Sequence, residues 1–251
     1  MLLLCHNELK AELGTTPNIK QIVVGRCYNY ITLVNPSLRF DCEEIWREFE
    51  EVVVQRSACN VRVKDYHRLF HAMPQTWPCD RFLFWSKTRT LVHSYTAAVR
   101  HFWTLEDTLV GYIFNDLIWC DFDFSSCPEW SACVNHPVYS LWRQASQNFA
   151  ETACGNITVL LNGSIDHAFN RKSMFGSVEL DSLNPRMVNH LHHELMNTDA
   201  DTNDVSLLIM NVLLYFVHRT LMILQCVQNP KQSSCQTCTN SLLHTKRLPL
   251  N

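Results

Sequence analysis

The stretch "ITVLLNG", residues 157–163, is a short apolar run rich in β-branched residues that ends in a turn signal, so it predicts a β-strand. Three further runs suit strands of the same kind: "RFLFWS" at 81–86, "FGSVEL" at 175–180 and "NVLLYFV" at 211–217. Helical stretches separate these short apolar runs. The pattern therefore favours a small parallel sheet.

The first half of the chain contains helical patterns. In "DCEEIWREFEEVVVQ", residues 41–55, apolar side chains recur at helical spacing and predict one buried stripe, formed by Ile45, Trp46, Phe49, Val52 and Val53. A second helix is predicted over "VKDYHRLFHAM", residues 63–73, with an Asp at its start. His67 and His71 lie four residues apart there, but no third ligand is near, so we interpret them as a half-exposed helix face.

The composition defines the class of protein. A chain of 251 residues permits one large domain or two small ones. Hydrophobic residues make up 47% and charged residues 18%, which is typical of a globular protein. The formal net charge of −3, without a basic block, gives no reason to expect a nucleic-acid partner.

Twelve cysteines indicate the compartment. They match no zinc-finger spacing, and the single CxxC, Cys235 to Cys238, lies in a polar tail. Many spaced cysteines without a metal pattern indicate disulfides formed in an oxidising compartment. Two glycosylation acceptors, Asn156 and Asn162, agree with this interpretation. We expect an extracellular or cell-surface ectodomain whose targeting segment and membrane anchor are not visible in this chain.

Several motifs for cofactors and metals fail. None of the six glycines forms a GxG pair, which excludes the dinucleotide fingerprint and the P-loop. "DADTND", residues 199–204, lacks the Gly and the Glu of a calcium loop. "HLHHEL", residues 190–195, is not HExxH and is predicted to be a solvated helix face. We expect neither a metal nor a bound cofactor.

Two adjacent acids, Glu106 and Asp107, lie in the otherwise apolar stretch "TLEDTLVGYIFNDLIWC", residues 104–120. Ionised carboxylates are costly to bury without partners, so the pair is a helix start, a solvated edge or part of a site. Asp107 follows Thr104 by three residues, which suits a capping box at a helix start.

Three other residues are candidates for a site. Trp85 and Trp142, each taken alone, are better explained by core packing than by a role in a site. Glu179 is flanked by Val178 and Leu180, so its side chain either faces solvent or lines a pocket. The residues alone leave both alternatives open.

Seven motifs in order resemble one family, the ADP-ribosyl cyclase and NAD glycohydrolase ectoenzymes. They are "FWS" at 84–86, "TLEDTLVGY" at 104–112, "LIWC" at 117–120, "FAETAC" at 149–154, "LLNGS" at 160–164, "FGSVE" at 175–179 and "QCVQNPKQSSC" at 225–235. The resemblance extends between Arg26 and Cys235, and TLEDT with a downstream FGSVE is its specific part.

The resemblance implies a disulfide-braced α+β fold with an α/β-like second part. A mainly helical bundle domain would comprise residues 1–78 and 104–153. A smaller domain with a short parallel sheet would comprise 79–103 and 154–251, with a cleft between the two. The implied bridges are Cys27–Cys42, Cys59–Cys133, Cys79–Cys154, Cys120–Cys127 and Cys226–Cys235.

The resemblance also implies a role for each site residue. Glu179 matches the catalytic glutamate, and Glu106 matches the acid that helps bind nicotinamide and favours hydrolysis over cyclisation. Trp85 and Trp142 match the paired indoles that hold nicotinamide. The remaining substrate-binding positions are Ser86, Lys87 and Phe175 near the phosphates, Ser146 near the reacting ribose, and Asn115, where members carry Asp or Asn.

The expected activity is cleavage of the nicotinamide–ribose bond of NAD, which is the substrate and not a cofactor. Positive charge would build on ribose C1′, as in glycoside hydrolysis. Water would then give ADP-ribose, and adenine N1 would give cyclic ADP-ribose. NADP and cyclic ADP-ribose are left open as further substrates, and a homodimer as an assembly. The alternative is a receptor or binding ectodomain that kept the fold and lost activity, because the segment between Glu179 and Cys226 looks shorter than in typical members.

Overall fold

The computed structural model describes residues 14–54, 56–57, 59–99, 101–120, 127–128, 133–165 and 168–196. The α-helices are α1 (Ile19–Asn29), α2 (Cys42–Val54), α3 (His67–His71), α4 (Arg89–Val99), α5 (Leu109–Phe114), α6 (Pro137–Thr152) and α7 (Leu180–Ser182). The strands are β1 (Leu83–Ser86), β2 (Gly155–Asn162) and β3 (Val188–Met196). Two 3₁₀ turns (Val63–Tyr66 and Leu105–Asp107) and two π-helices (Tyr30–Val34 and Phe175–Glu179) complete the regular structure of these described residues.

The three strands form a parallel sheet in the order β1-β2-β3. Trp85 pairs with Leu160 in one ladder, and Leu160 pairs with Glu194 in the other. Parallel neighbours need a long crossover, which helices α4 to α6 provide between β1 and β2. The prediction of a small parallel sheet is confirmed, as are the strands expected at 81–86 and 157–163. The run at 211–217 lies outside the described residues.

Two predicted elements are wrong. "FGSVEL" is not a strand, because residues 175–179 form a π-helix that continues directly into α7. A six-residue apolar run does not distinguish a strand from a buried helical turn. "HLHHEL" is not a helix face, because residues 190–195 belong to β3, where Leu191 is buried and His190 and His192 are exposed. Backbone pairing of this segment with β2 outweighs its weak local preference for a helix.

The largest core cluster packs the helices together. The predicted stripe of α2 is confirmed, and all of its members are buried. Each such side chain contributes about 1.5–3 kcal/mol by leaving water. Phe49 contacts Phe114 and Trp119 at ring separations of 4.8 and 5.2 Å. Trp119 Nε1 donates to Tyr66 Oη at 3.0 Å, so these two buried polar groups pair with each other.

Four disulfides brace the described residues. Cys27–Cys42, Cys59–Cys133, Cys79–Cys154 and Cys120–Cys127 are all formed, as the resemblance implied. The expected Cys226–Cys235 bridge lies outside the described residues. Cys79–Cys154 joins the segment before β1 to the residue before β2, so it ties together the entrances of two neighbouring strands.

Other expectations have different outcomes. The helix expected at 63–73 is present as a 3₁₀ turn followed by α3, but its cap is Arg62, with Asp65 at the third position. No helix within the described residues has both the length and the apolar composition that crossing a bilayer requires. The division into two domains at the stated boundaries stays a prediction.

Candidate active site

The 3₁₀ turn Leu105–Asp107, which carries Glu106, is held by hydrogen bonds to the residue before it. The backbone N–H and the Oγ1 hydroxyl of Thr104 both donate to Asp107 Oδ2, at 2.7 and 2.8 Å. This confirms the predicted capping box at Thr104. Thr108 then caps α5, with its Oγ1 accepting from Gly111 N at 3.0 Å. Asp107 is therefore structural, and Glu106 is the acid of the pair that is left for other contacts.

Gly111 lets α5 pack directly on this turn. A Cβ at that position would lie 2.6 Å from the Cα of Glu106 and closer still to the Leu105 carbonyl oxygen. Any side chain would push the turn away from the helix. The close approach therefore helps to set the position of Glu106, a role that the sequence patterns did not reveal.

Trp85 and Glu106 are in direct contact. Trp85 is half-buried on β1, beside a small cluster formed by Leu83, Val92 and Leu160. Its indole Nε1 donates to Glu106 Oε2 at 3.2 Å. The hydrogen bond fixes the indole and the carboxylate relative to each other.

Helix α6 carries the second pair of candidate residues. Trp142 and Ser146 are four positions apart, so they share one face of the helix, and both are buried. Ser146 Oγ donates to Glu179 Oε1 at 2.8 Å. The indole N–H of Trp142 is buried and has no hydrogen-bond partner among the described residues. An unpaired buried donor is costly, so a ligand acceptor would find a favourable position there.

Glu179 occupies the last position of the π-helix Phe175–Glu179. Ser173 organises the turn before it, since its Oγ accepts from Gly176 N at 3.1 Å and its carbonyl accepts from Ser177 Oγ at 2.7 Å. A Cβ on Gly176 would lie 2.8 Å from Arg171 Cα, so a glycine is needed where the chain folds back. Such π-turns frequently mark functional sites.

Burial changes the acidity of Glu179. The side chain is 8% exposed, so the alternative that it faces solvent is wrong. Removal from water and, to a smaller extent, the nearby charge of Glu106 raise the pKa of Glu179 to about 8, against the opposing effect of the Ser146 hydrogen bond. Two carboxyl groups are thus within electrostatic range, and one is held in its neutral form at neutral pH. A carboxyl group with a strongly shifted pKa is typical of active sites.

The remaining candidates lie on the π-helix, at the end of β1 and at the end of α5. Phe175 is buried on the π-helix and contacts Phe84 of β1 at a ring separation of 6.1 Å. Ser86 is buried at the end of β1, whereas Lys87 after it is exposed, with a left-handed backbone (φ 58°). Asn115, at the end of α5, has a buried Oδ1 that accepts no hydrogen bond within the part of the chain that the structure describes.

The structure brings some of these residues together and leaves others apart. Hydrogen bonds join Trp85 to Glu106 and Ser146 to Glu179, and electrostatics links the two pairs. Lys87 contacts the end of β2 through its backbone, because its carbonyl accepts from Asn162 Nδ2 at 3.3 Å.

Comparison with known proteins identifies the family. The family model described as ADP-ribosyl cyclase matches residues 16–247 of this chain. The chain belongs to the ADP-ribosyl cyclase family. The assignment made from the seven motifs is thereby confirmed.

Relatives of this ADP-ribosyl cyclase family member match over most of their length. It is 40% identical to ADP-ribosyl cyclase/cyclic ADP-ribose hydrolase 1 of Mus musculus over 247 residues, which is 90% of this chain and 81% of the relative. It is 29% identical to ADP-ribosyl cyclase/cyclic ADP-ribose hydrolase of Aplysia californica over 242 residues, 90% of this chain and 85% of the relative. Similarity therefore extends to both vertebrate and mollusc branches of the family.

Solved structures agree with the fold. Porcine CD38, complexed with a covalent intermediate, ribo-F-ribose-5′-phosphate, superposes with a TM-score of 0.78 at 37% identity, covering 84% of this chain and 95% of that one. Aplysia cyclase, complexed with substrate NGD and product cGDPR, gives a TM-score of 0.73 at 25% identity, covering 89% and 98%. The α+β fold of this family member is the fold of those enzymes.

Both expected glycosylation acceptors of this ADP-ribosyl cyclase family member lie on β2. Asn156 is exposed, and Asn162 is half-buried at the strand end. Attachment of glycans stays a prediction at both positions.

Proposed function

We propose that the chain cleaves the bond between nicotinamide and ribose C1′ of NAD. Nicotinamide is released, and the ADP-ribosyl part goes to water as ADP-ribose or to its own adenine N1 as cyclic ADP-ribose. The observation that carries the proposal is the buried Glu179 carboxyl, held by Ser146 and within range of Glu106. The family membership of the chain supports the reaction class.

Cleavage requires a stabilised cation. The electron pair of the C1′–N bond moves to the pyridinium nitrogen, so nicotinamide leaves neutral and positive charge develops at C1′. An ionised Glu179 facing that carbon stabilises the charge in a water-poor site, where electrostatic interactions are strongest. Water then adds to C1′ and loses a proton, or adenine N1 adds and its exocyclic amine loses one.

Binding of the substrate favours the ionised form of Glu179. Burial keeps the Glu179 pKa high in the substrate-free protein. The nicotinamide ring of NAD carries a positive charge, and a positive charge nearby lowers the pKa of a carboxyl group. Binding of NAD is therefore coupled to release of the Glu179 proton, while the Ser146 hydroxyl holds the carboxylate in place.

The two indoles receive the leaving group. A planar aromatic ring stacks well on Trp85 and Trp142. Because Glu106 Oε2 accepts from Trp85, its other oxygen is left for the carboxamide N–H of nicotinamide. The N–H of Trp142, which no described residue accepts, gives a further donor for the substrate. We assign Glu106 the second role of favouring water over adenine at C1′.

The phosphate end is assigned to the loop after β1. Ser86 offers a hydroxyl, Lys87 a cation and Phe175 an apolar wall, and we assign Asn115 as a further substrate contact. The left-handed backbone of Lys87 supports the assignment, because strained non-glycine residues cluster at ligand-binding sites. NADP and cyclic ADP-ribose carry the same phosphate and ribose groups, so both are proposed as further substrates.

The disulfide bridges support a proposal for the location of the protein. Four disulfides persist in oxidising surroundings, which supports a cell-surface or secreted location. The chemistry uses only substrate and side chains, so we assign no bound cofactor. A homodimer remains a prediction without an assigned surface.

Product analysis with NAD tests the function. The disulfide-intact protein is incubated with NAD, and nicotinamide, ADP-ribose and cyclic ADP-ribose are separated by chromatography at low conversion. The proposal expects nicotinamide release matched by the sum of the two ADP-ribosyl products. Binding of NAD without nicotinamide release would instead support the receptor or binding alternative.

A further inference from the structure

Gln75 makes side-chain hydrogen bonds with two other parts of the chain. It lies in the segment between α3 and β1, with Pro74 before it and Pro78 further along, and proline rings restrict the backbone of such a segment. The Cys79–Cys154 bridge anchors the end of this segment. Gln75 is half-buried and is not among the residues assigned to NAD.

The carboxamide of Gln75 completes a closed series of hydrogen bonds. Its Oε1 accepts from Leu109 N at 2.6 Å, and its Nε2 donates to Tyr30 Oη at 3.2 Å. Tyr30 Oη donates in turn to the carbonyl oxygen of Asp107 at 2.8 Å. Tyr30 and Leu109 are fully buried, so these bonds are shielded from water. The series therefore bridges the two sides of Thr108, where the 3₁₀ turn ends and α5 begins.

The chemistry at both ends of the series determines its direction. A backbone N–H only donates and a backbone carbonyl only accepts, so the residue at position 75 must present an acceptor to Leu109 and a donor to Tyr30. A carboxamide supplies both, whereas an ionised carboxylate supplies acceptors alone. Burial raises the pKa of Tyr30, so its phenol keeps the proton that the Asp107 carbonyl accepts.

Glu106 lies between this series and the capping box. The capping box at Thr104 holds the start of the 3₁₀ turn. Tyr30 and Gln75 hold its end and the first residue of α5. A turn that is held at both ends restricts the position of the Glu106 side chain, whose Oε2 accepts from Trp85 Nε1 at 3.2 Å.

We propose that Gln75 is a positioning residue, whose two hydrogen bonds hold the 3₁₀ turn where the Glu106 carboxylate meets the indole of Trp85. Gln75 then acts on the reaction only through Glu106. Loss of its hydrogen bonds has the effect of a partial loss of the Glu106 carboxylate. The effect on product choice rests on the proposed function, in which Glu106 favours water over adenine at C1′.

The first test is independent of activity. Gln75→Met keeps the length of the side chain and removes both hydrogen bonds. In substrate-free protein whose tryptophans carry an NMR-active nitrogen isotope, the indole N–H signal of Trp85, assigned with Trp85→Phe, reports the bond to Glu106. We expect Gln75→Met to move this signal toward its position in Glu106→Ala, where the acceptor is absent.

Tyr66→Phe is the control variant. Tyr66 is fully buried, as Tyr30 is, and its Oη accepts from Trp119 Nε1 at 3.0 Å. Loss of this hydroxyl should move the indole signal of Trp119 and leave that of Trp85 in place. The control therefore separates a general effect of a lost buried hydrogen bond from an effect on Glu106.

The second test measures the products from NAD at low conversion. We expect Gln75→Met to raise the ratio of cyclic to linear product by about threefold or more, in the same direction as Glu106→Gln. The double variant should give the same ratio as Glu106→Gln alone, because a residue that acts only through Glu106 then has no carboxylate to position. Tyr66→Phe should leave the ratio at its wild-type value.

The folded state of each variant is checked by circular dichroism. If Gln75→Met does not fold, Tyr30→Phe replaces it, because it removes a single oxygen atom and interrupts the same series of hydrogen bonds. An unmoved Trp85 signal, or a double variant whose ratio exceeds that of Glu106→Gln alone, would overturn the proposal. Wild-type protein that releases no nicotinamide would instead contradict the proposed function, and the NMR comparison would still decide whether Gln75 positions Glu106.

Discussion

The buried Glu179 carboxyl should cost the substrate-free protein stability at high pH. Its pKa is raised from 4.5 to about 8 in the folded state, mainly by burial. Between these values the unfolded chain has lost the proton and the folded protein still holds it, so stability falls as pH rises through this window. Each unit of pKa corresponds to about 1.4 kcal/mol. The loss is then about 2 kcal/mol at pH 6 and about 5 kcal/mol at pH 9.

Glu179→Gln removes this cost, because the amide does not ionise and its oxygen still accepts from Ser146. The variant should therefore be more stable than the wild type, by a margin that grows by about 3 kcal/mol between pH 6 and pH 9. Urea unfolding of both proteins, with disulfides intact and without substrate, measures the margin at several pH values. Other titrating groups are common to both proteins and cancel. A margin that stays constant with pH, or shrinks, would refute the reasoning.

Three further outcomes follow from the same geometry. The kcat/KM for NAD should rise with pH through about 8, because the free enzyme must lose the Glu179 proton; a flat profile from pH 6 to 9 would contradict this. Glu106→Gln should shift that rise to lower pH and increase the ratio of cyclic to linear product at low conversion; a falling ratio would remove its role in partition. Trp85→Phe keeps an aromatic ring but loses the N–H that holds Glu106, so KM for NAD should increase several-fold with a smaller effect on folding; unchanged KM would leave Trp85 a packing residue.

Local patterns predicted the elements that local physics decides. The α2 stripe, the capping box at Thr104 and strand β2 each follow from spacing, side-chain chemistry or turn signals within a few residues. The four bridges and the site residues came from resemblance, because spacing alone does not choose among the possible cysteine pairings.

The sequence patterns do not predict the elements that form because of contacts with residues distant in the chain. Residues 190–195 form a strand because β2 pairs with them, and no local feature of the three histidines predicts that partner. The FGSVE segment forms a π-helix because Gly176 fits against the backbone at Arg171, and the apolar run alone looks like a strand. Gly111 supports the Glu106 turn in the same way. For both the FGSVE segment and the Glu106 turn, the glycine inside the apolar motif is the sequence feature that could have indicated this close packing.

The central claim is that Glu179 carries NAD cleavage, and the most direct test is the rate of nicotinamide release from saturating NAD. Glu179→Gln is compared with the wild type and with Glu151→Gln, an exposed carboxylate on α6 that contacts Gln147. We predict at least a hundredfold loss for Glu179→Gln, about 2.7 kcal/mol of transition-state stabilisation. Glu151→Gln should retain the wild-type rate. A correctly folded Glu179→Gln protein that releases nicotinamide at close to the wild-type rate would contradict the account.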